Sequence, residues 1–308
     1  METKDLIIIG GGPAGLTGGI YAGRAKLATL LLAGPSFGGQ LMLTDTIDDF
    51  PGFPEGISGA ELIAKMMNQV KKFEVEVKEK NAVETDFNSY PFIVKADDGN
   101  IYKARAIIIA TGASHRWLGL PKEKELVGRG ISFCAVCDGF FFKDKNVAVV
   151  GGGDSAMENA LVLSKYAKKV TVIHRKETLN AAKILQDEAL KNEKIEFLFN
   201  SQIIKIIGEE RLEGVEIKNL ETNENKTLFF SGLFISIGYK PQIDIFKNQL
   251  EITDSGFIKV FGMTQTSKAG IFAAGDVCDP VYKQAVTAAG FGAMAALDAD
   301  RWLRQQKK

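Results

Sequence analysis

The apolar residues of this chain fall in short unbroken runs separated by glycine clusters. Residues 6–9 are all Leu or Ile, the pattern of a strand buried on both faces of a parallel sheet. They enter Gly10-Gly11-Gly12-Pro13-Ala14-Gly15, residues 16–26 have helical composition, and 27–32 form the next apolar run. That order predicts strand, turn, helix and strand, with glycines where a dinucleotide fold needs them. The order returns with a strand at 146–150, the turn Gly151-Gly152-Gly153-Asp154-Ser155-Ala156, a helix at 157–166 and a strand at 170–173. One glycine fingerprint is weak evidence. Two copies roughly 140 residues apart, each framed by strand and helix, predict an α/β chain with two Rossmann-like nucleotide-binding domains.

Two further segments, residues 106–112 and 270–276, read as buried strands that end in tight turns. The apolar stretch 233–238, followed by Tyr239-Lys240-Pro241, reads as a crossing between domains. The second nucleotide domain, 116–243, is therefore expected as an insertion into the first, 1–115 and 244–308.

Composition narrows the class. The chain has 308 residues, 45% hydrophobic and 25% charged, enough for two cored domains. Its 38 basic and 38 acidic residues cancel, so nothing favours nucleic acid or an acidic membrane as partner. No run approaches the roughly 18 apolar residues of a membrane span. Met1-Glu2-Thr3-Lys4-Asp5 lacks the positive start of a signal peptide, so a cytoplasmic protein is expected.

In the first turn, which also holds Pro13 and Ala14, Gly10, Gly12 and Gly15 permit a tight bend and close approach to a pyrophosphate, and the N-terminus of the helix that follows faces the anion. The acid expected about 20 residues on, to bind a ribose, is missing. The strand ends Leu32-Ala33-Gly34-Pro35, and Ser36-Phe37-Gly38-Gly39-Gln40 follows, leaving backbone or other polar groups to hold the ribose. In the second turn Gly151, Gly153, Asp154, Ser155 and Ala156 repeat the design, and the next strand ends in His174-Arg175-Lys176. A cation there suits a 2′-phosphate. A solvated basic turn is the alternative. Gly275-Asp276 closes the last apolar strand with an acid placed to meet a hydroxyl or to cap a helix, and the small residues from Gln284 and Ala285 onward permit close packing against a flat ring or simply against another helix.

Cys134 and Cys137 stand three apart, with Asp138 next to them. Such a pair can store two electrons as a disulfide. Half a zinc site or two buried thiols are the alternatives. A structural zinc needs four ligands, and only Cys278, His115 and His174 remain, scattered along the chain, so no metal site is expected. Cys278 reads as a structural thiol. Asp138 is placed to give or take a proton in thiol exchange, a solvated loop acid being the alternative.

Nearly end to end, the chain resembles the low-molecular-weight, bacterial-type thioredoxin reductases. The resemblance rests on Gly10 to Gly15, Gly38-Gly39-Gln40-Leu41, Ala110-Thr111-Gly112-Ala113, Cys134-Ala135-Val136-Cys137-Asp138-Gly139, Gly151 to Ala156 and Gly275-Asp276-Val277. It implies FAD in the first domain, NADPH in the inserted one and a homodimer whose domains rotate. It also implies that Cys137 meets the flavin, that Cys134 attacks the disulfide of a thioredoxin-like protein and that Asp138 manages the proton. The family's His-Arg-Arg-x-x-x-Arg motif here reads His174-Arg175-Lys176-Glu177-Thr178-Leu179-Asn180. Lys176 and Asn180 replace arginines, so NADH or an iron–sulfur protein stands as the alternative electron donor on the same scaffold. A nucleotide-binding module without turnover would not need the dithiol.

Overall fold

The computed structural model describes residues 3–35, 37–43 and 46–306. The chain divides into two compact units, Met1–Ser114 with Lys240–Lys308, and His115–Tyr239.

In the first unit the run at 6–9 is the end of the strand Thr3–Ile9, paired in parallel with Thr29–Leu32 and Ile101–Ile109. Successive residues of this strand serve different cores. Leu6 and Ile8 pack with the helices on one face, and Ile7 and Ile9 pack with Phe246, Leu250 and Ile258 on the other. Burial on both faces explains why the run does not alternate. Ile101–Ile109 is long enough to take two further partners on its other edge. Its first half pairs antiparallel with Phe92–Ala96 and its last three residues pair in parallel with Ile271–Ala273. With Glu76–Lys78 and Ala82–Asp86 the sheet has seven strands.

The first helix is Pro13–Arg24 and begins three residues before the expected start. Proline suits the first helical position because its missing N–H would be unpaired there anyway. This helix packs on the last one, Ala285–Gln305, at a close backbone crossing. A Cβ on Gly292 would lie 2.0 Å from the Ala14 carbonyl oxygen, so only glycine allows this approach.

The second unit repeats the plan. Its five strands are all parallel, in the order Ile195–Leu198, Lys169–Ile173, Asn146–Val150, Gly232–Ile235 and Ile131–Ser132. Val147 and Val149 face the Asp154–Ser164 helix side, and Ala148 and Val150 the opposite core. An antiparallel sheet of Ser201–Ile207, Gly214–Asn219 and Asn225–Phe229 completes the unit.

The two passages of chain between the units, Ala113–His115 and Tyr239–Pro241, pair as a two-stranded ribbon. The chain re-enters the first unit at Lys240, four residues before the expected 244. Gln242 belongs there because its N–H donates to the Gly112 carbonyl at 3.0 Å and its carbonyl accepts from Thr111 Oγ1 at 2.7 Å.

Candidate active site

A cleft of about 560 Å³ opens over the carboxyl ends of the parallel strands in the first unit. Gly10, Gly12, Pro13, Ala14, Gly38, Gly39, Gln40, Thr111, Gly112, Ala113, Asp276, Gln284 and Ala285 all line it. Ser36 lies outside the described residues. Gly15 and Gly275 stand behind the lining and let it close. A Cβ on Gly15 would sit 1.8 Å from the Gly10 carbonyl oxygen, and one on Gly275 would sit 2.9 Å from the Ala14 Cβ.

Gly12 is different. It is the N-cap of the Pro13–Arg24 helix, its cap makes no side-chain hydrogen bond and the first turn carries no acid. A Cβ there would meet nothing within 4 Å. No protein neighbour requires glycine at this position, whereas an anion seated against the backbone amides does. The residues therefore fit a dinucleotide pyrophosphate.

Asp276 enters the same cleft. Burial, reinforced by nearby Asp279 and opposed by Lys283, lifts its carboxyl to about 6. Asp279 is itself buried and accepts N–H bonds from Val281, Tyr282 and Lys283 at 2.8, 2.9 and 3.0 Å, which shapes the loop leading to Gln284. Burial, with Asp279 and Asp276 nearby, pushes the Cys278 thiol up to about 12, and its Sγ donates to the Gly275 carbonyl. Such a thiol is unreactive near neutral pH.

The second unit builds its turn the same way. Gly153 is an N-cap without a side-chain bond, and a Cβ on it would meet nothing within 4 Å. Gly151 presses on Ser236, whose carbonyl oxygen lies 2.2 Å from where a Cβ would be, and Ala156 is buried behind the turn. Ser155 is half-buried in the first helical turn. Asp154 is engaged with protein, accepting the Ala182 N–H at 2.6 Å.

His174 does not face solvent with its basic neighbours. Its ring is buried against Gly152, and Nε2 donates to the Thr178 carbonyl at 3.1 Å. Burial first, then the charges of Lys176 and Arg175, hold its pKa below the usual value, though the Thr178 bond opposes this. It packs the turn as a neutral ring, and the positive charge is left to exposed Arg175 and Lys176. The Asn180 N–H donates to the Gly152 carbonyl at 2.7 Å, which sets this exposed residue at the edge of the turn.

Cys134 and Cys137 form a disulfide, with Cα atoms 5.3 Å apart. Cys134 caps the one-turn helix Ala135–Asp138, and its Sγ accepts the Cys137 N–H at 3.1 Å. Ser132 organises the other side. Its Oγ donates to Asp138 Oδ2 at 2.5 Å and accepts the Cys134 N–H at 3.1 Å. Asn159, from the nucleotide-turn helix, accepts the Ala135 N–H through Oδ1 at 3.1 Å and donates through Nδ2 to Ser236 Oγ at 2.7 Å. Around the pair Val136 and Phe140 are exposed at 68% and 67%, and Phe141 at 50%. Ser132, Asn159 and Ser236 carry no motif that sequence reading would single out. Gln242 and Lys283, both lining the first cleft, are likewise positions that the glycine fingerprints do not reach.

Among the described residues no group of three or more His, Cys, Asp or Glu is arranged to hold a metal ion, and no helix is long and apolar enough to cross a membrane.

Two dinucleotide folds, one of them carrying a disulfide clamped to its nucleotide helix, define a nucleotide-dependent disulfide oxidoreductase. Residues 4–292 match the family described as pyridine nucleotide-disulphide oxidoreductase. The chain is 46% identical to the thioredoxin reductase of Streptomyces clavuligerus over 98% of its length and 94% of the relative's. It is 43% identical to the bifunctional thioredoxin reductase/thioredoxin of Mycobacterium leprae, over 98% of this chain and 66% of that one. The solved structure of thioredoxin reductase from Giardia duodenalis superposes with a TM-score of 0.94 at 39% identity, covering 99% of this chain and all of the other. The chain belongs to the pyridine nucleotide-disulphide oxidoreductase family, on its thioredoxin reductase branch. The family brings with it a flavin and a nicotinamide cofactor.

Proposed function

We propose that electrons pass from NADPH, held at the Gly151–Ala156 turn of the second unit, through FAD, held in the first-unit cleft, to the Cys134–Cys137 disulfide and on to a thioredoxin-like protein. The observation that carries this reading is the dithiol turn itself, a closed disulfide whose sulfur, backbone and neighbouring acid are each held by a named partner. FAD supplies the two-electron step between nicotinamide and disulfide. The chain's own residues do the rest. In the reduced pair, the N–H of Cys137 stabilises a thiolate on Cys134, which supports Cys134 as the attacking sulfur. Cys134 displaces one sulfur of the thioredoxin disulfide and forms a mixed disulfide. Cys137 then attacks Cys134, re-forms the internal disulfide and releases the second thioredoxin sulfur, so that two electrons leave the enzyme. Asp138, fixed by Ser132, moves the proton. The exposed Val136, Phe140 and Phe141 give the partner an apolar surface beside the pair.

The donor assignment rests on Arg175 and Lys176. Asn180 brings no charge to the same edge. The loss of one charged hydrogen bond, worth about 1.5–3 kcal/mol, narrows the preference for NADPH by roughly tenfold to a hundredfold relative to an arginine there. The proposal includes a homodimer, as the resemblance implies, and sedimentation tests it.

Anaerobic titration tests the donor and the relay together. NADPH is expected to bleach the flavin absorbance at lower concentration than NADH, and oxidised thioredoxin is expected to restore it. Equal failure of both nucleotides would sink the donor assignment in favour of a protein donor.

A further inference from the structure

We propose that Asn159 is a positioning residue that couples the redox turn to the nucleotide turn, so that the state of the Cys134–Cys137 pair changes nucleotide affinity. The proposal rests on the reading of Gly151–Ala156 as the nicotinamide-nucleotide site. Three facts meet at this residue. Asn159 lies on the Asp154–Ser164 helix, whose N-terminus is the nucleotide turn, about 9 Å along the axis from Gly153. Its Oδ1 takes the N–H of Ala135, the residue between the two sulfurs' backbones that opens the dithiol helix. Its Nδ2 grips Ser236 Oγ, and Ser236 is the residue whose backbone supports the nucleotide turn, with its N–H on the Val150 carbonyl and its own carbonyl against Gly151.

The amide is therefore oriented by its partners. The group of Ala135 that faces it is the N–H, its carbonyl being taken by the Gly139 N–H, so the oxygen must face Ala135 and the nitrogen is left to Ser236. Breaking the disulfide frees two sulfurs that were held together at the start of a helix only four residues long. Any shift of Ala135 that follows is met by Asn159, which is anchored on both the nucleotide helix and Ser236. By linkage, a nucleotide that holds the turn in one arrangement favours the dithiol state compatible with it, and the effect is reciprocal.

The test measures binding of 2′-phospho-ADP-ribose to the flavin-loaded protein by calorimetry, with the pair oxidised and with it reduced by dithiothreitol. This probe carries the pyrophosphate and 2′-phosphate but no nicotinamide, so no electrons move during the titration. The wild-type protein is expected to show an affinity ratio between the two states of roughly three- to tenfold, the scale of one hydrogen bond. Asn159→Ala and Ser236→Ala are each expected to bring the ratio to about one. The double variant is expected to differ from neither single, because the two residues form one link, whereas independent structural roles would add. If Asn159→Ala does not fold, Ser236→Ala alone decides. A wild-type ratio of one, a ratio unchanged by the substitutions, or additive effects would overturn the coupling. Absence of binding in both states would instead overturn the assignment of the nucleotide site itself.

Discussion

The two glycine turns make one design serve two environments. In each, a strand leads into three glycines and a helix whose cap is a glycine facing open space, Gly12 in one unit and Gly153 in the other. In each, the middle glycine lets a neighbouring segment press on the turn, and here they part. Gly11 admits Ala33 and Phe37, whereas Gly152 admits the ring of His174. The first helix opens without an acid and the second opens on Asp154, which is spent on the Ala182 N–H. The glycine end of the two turns is the same. They differ at the far end, where one strand finishes in Ala33-Gly34-Pro35 and the other in His174-Arg175-Lys176, and the proposed assignment of one cofactor to each rests on that difference.

The strongest way to break this comparison is to fill a closed glycine and an open one. Gly15→Ala drives a Cβ to 1.8 Å from the Gly10 carbonyl oxygen, within a turn that has no room to yield. It is expected to cost several kcal/mol, on the order of 3 or more, read as a lowered denaturation midpoint. Gly12→Ala is expected to leave the midpoint of the flavin-free protein within about 1 kcal/mol while weakening flavin binding about tenfold or more. If both variants lowered stability alike, the reading of Gly12 as a ligand-facing position would fail.

Acid separates the two units with opposite signs. Asp276 is raised from 3.8 to about 6, so between those values the folded state holds a proton that the unfolded state has lost. Its contribution therefore favours folding below about pH 4 and is lost as pH rises to about 6, a change on the order of 3 kcal/mol in the flavin-free protein. His174 is lowered from 6.5, so the unfolded state holds the extra proton and stability is lost as pH falls below 6.5. Asp276→Asn is expected to remove the first slope and leave the second, in denaturation curves taken from pH 4 to 7. An unchanged slope in that variant would show that the Asp276 carboxyl is not shielded from solvent in the flavin-free cleft.

Two smaller effects sharpen the contrast at the basic end. Gly152→Ala strikes the His174 ring, so pairing it with His174→Ala is expected to recover part of the roughly 1–3 kcal/mol lost, a compensation that Gly11→Ala cannot show. Asn180→Arg is expected to tighten NADPH over NADH by about tenfold in KM ratio, and no change would remove residue 180 from the cofactor edge.

Much of this was legible in the sequence because it is local. A buried parallel strand writes itself as an unbroken apolar run, and a dinucleotide turn writes itself as glycines between strand and helix. The dithiol was visible for the same reason. What the sequence did not disclose is held together across the chain. Ser236 reaches Asn159 over 77 residues, and Gln242 reaches Thr111 over 131, and neither leaves a periodic or spaced signature. His174 looked like part of a basic cluster until Gly152 opened a slot for its ring. The first helix began at Pro13 rather than Leu16 because composition ignores the first turn, where proline is favoured.

The central claim is that Cys134 passes electrons out of the enzyme after the flavin has been reduced. Stopped-flow absorbance with the Cys134→Ser variant tests it directly, following flavin bleaching by NADPH and thiol release from thioredoxin in the same sample. The flavin is expected to bleach still, and thioredoxin reduction to fall by at least about a thousandfold, as when a nucleophile is removed. Thioredoxin reduction at the wild-type rate would contradict it.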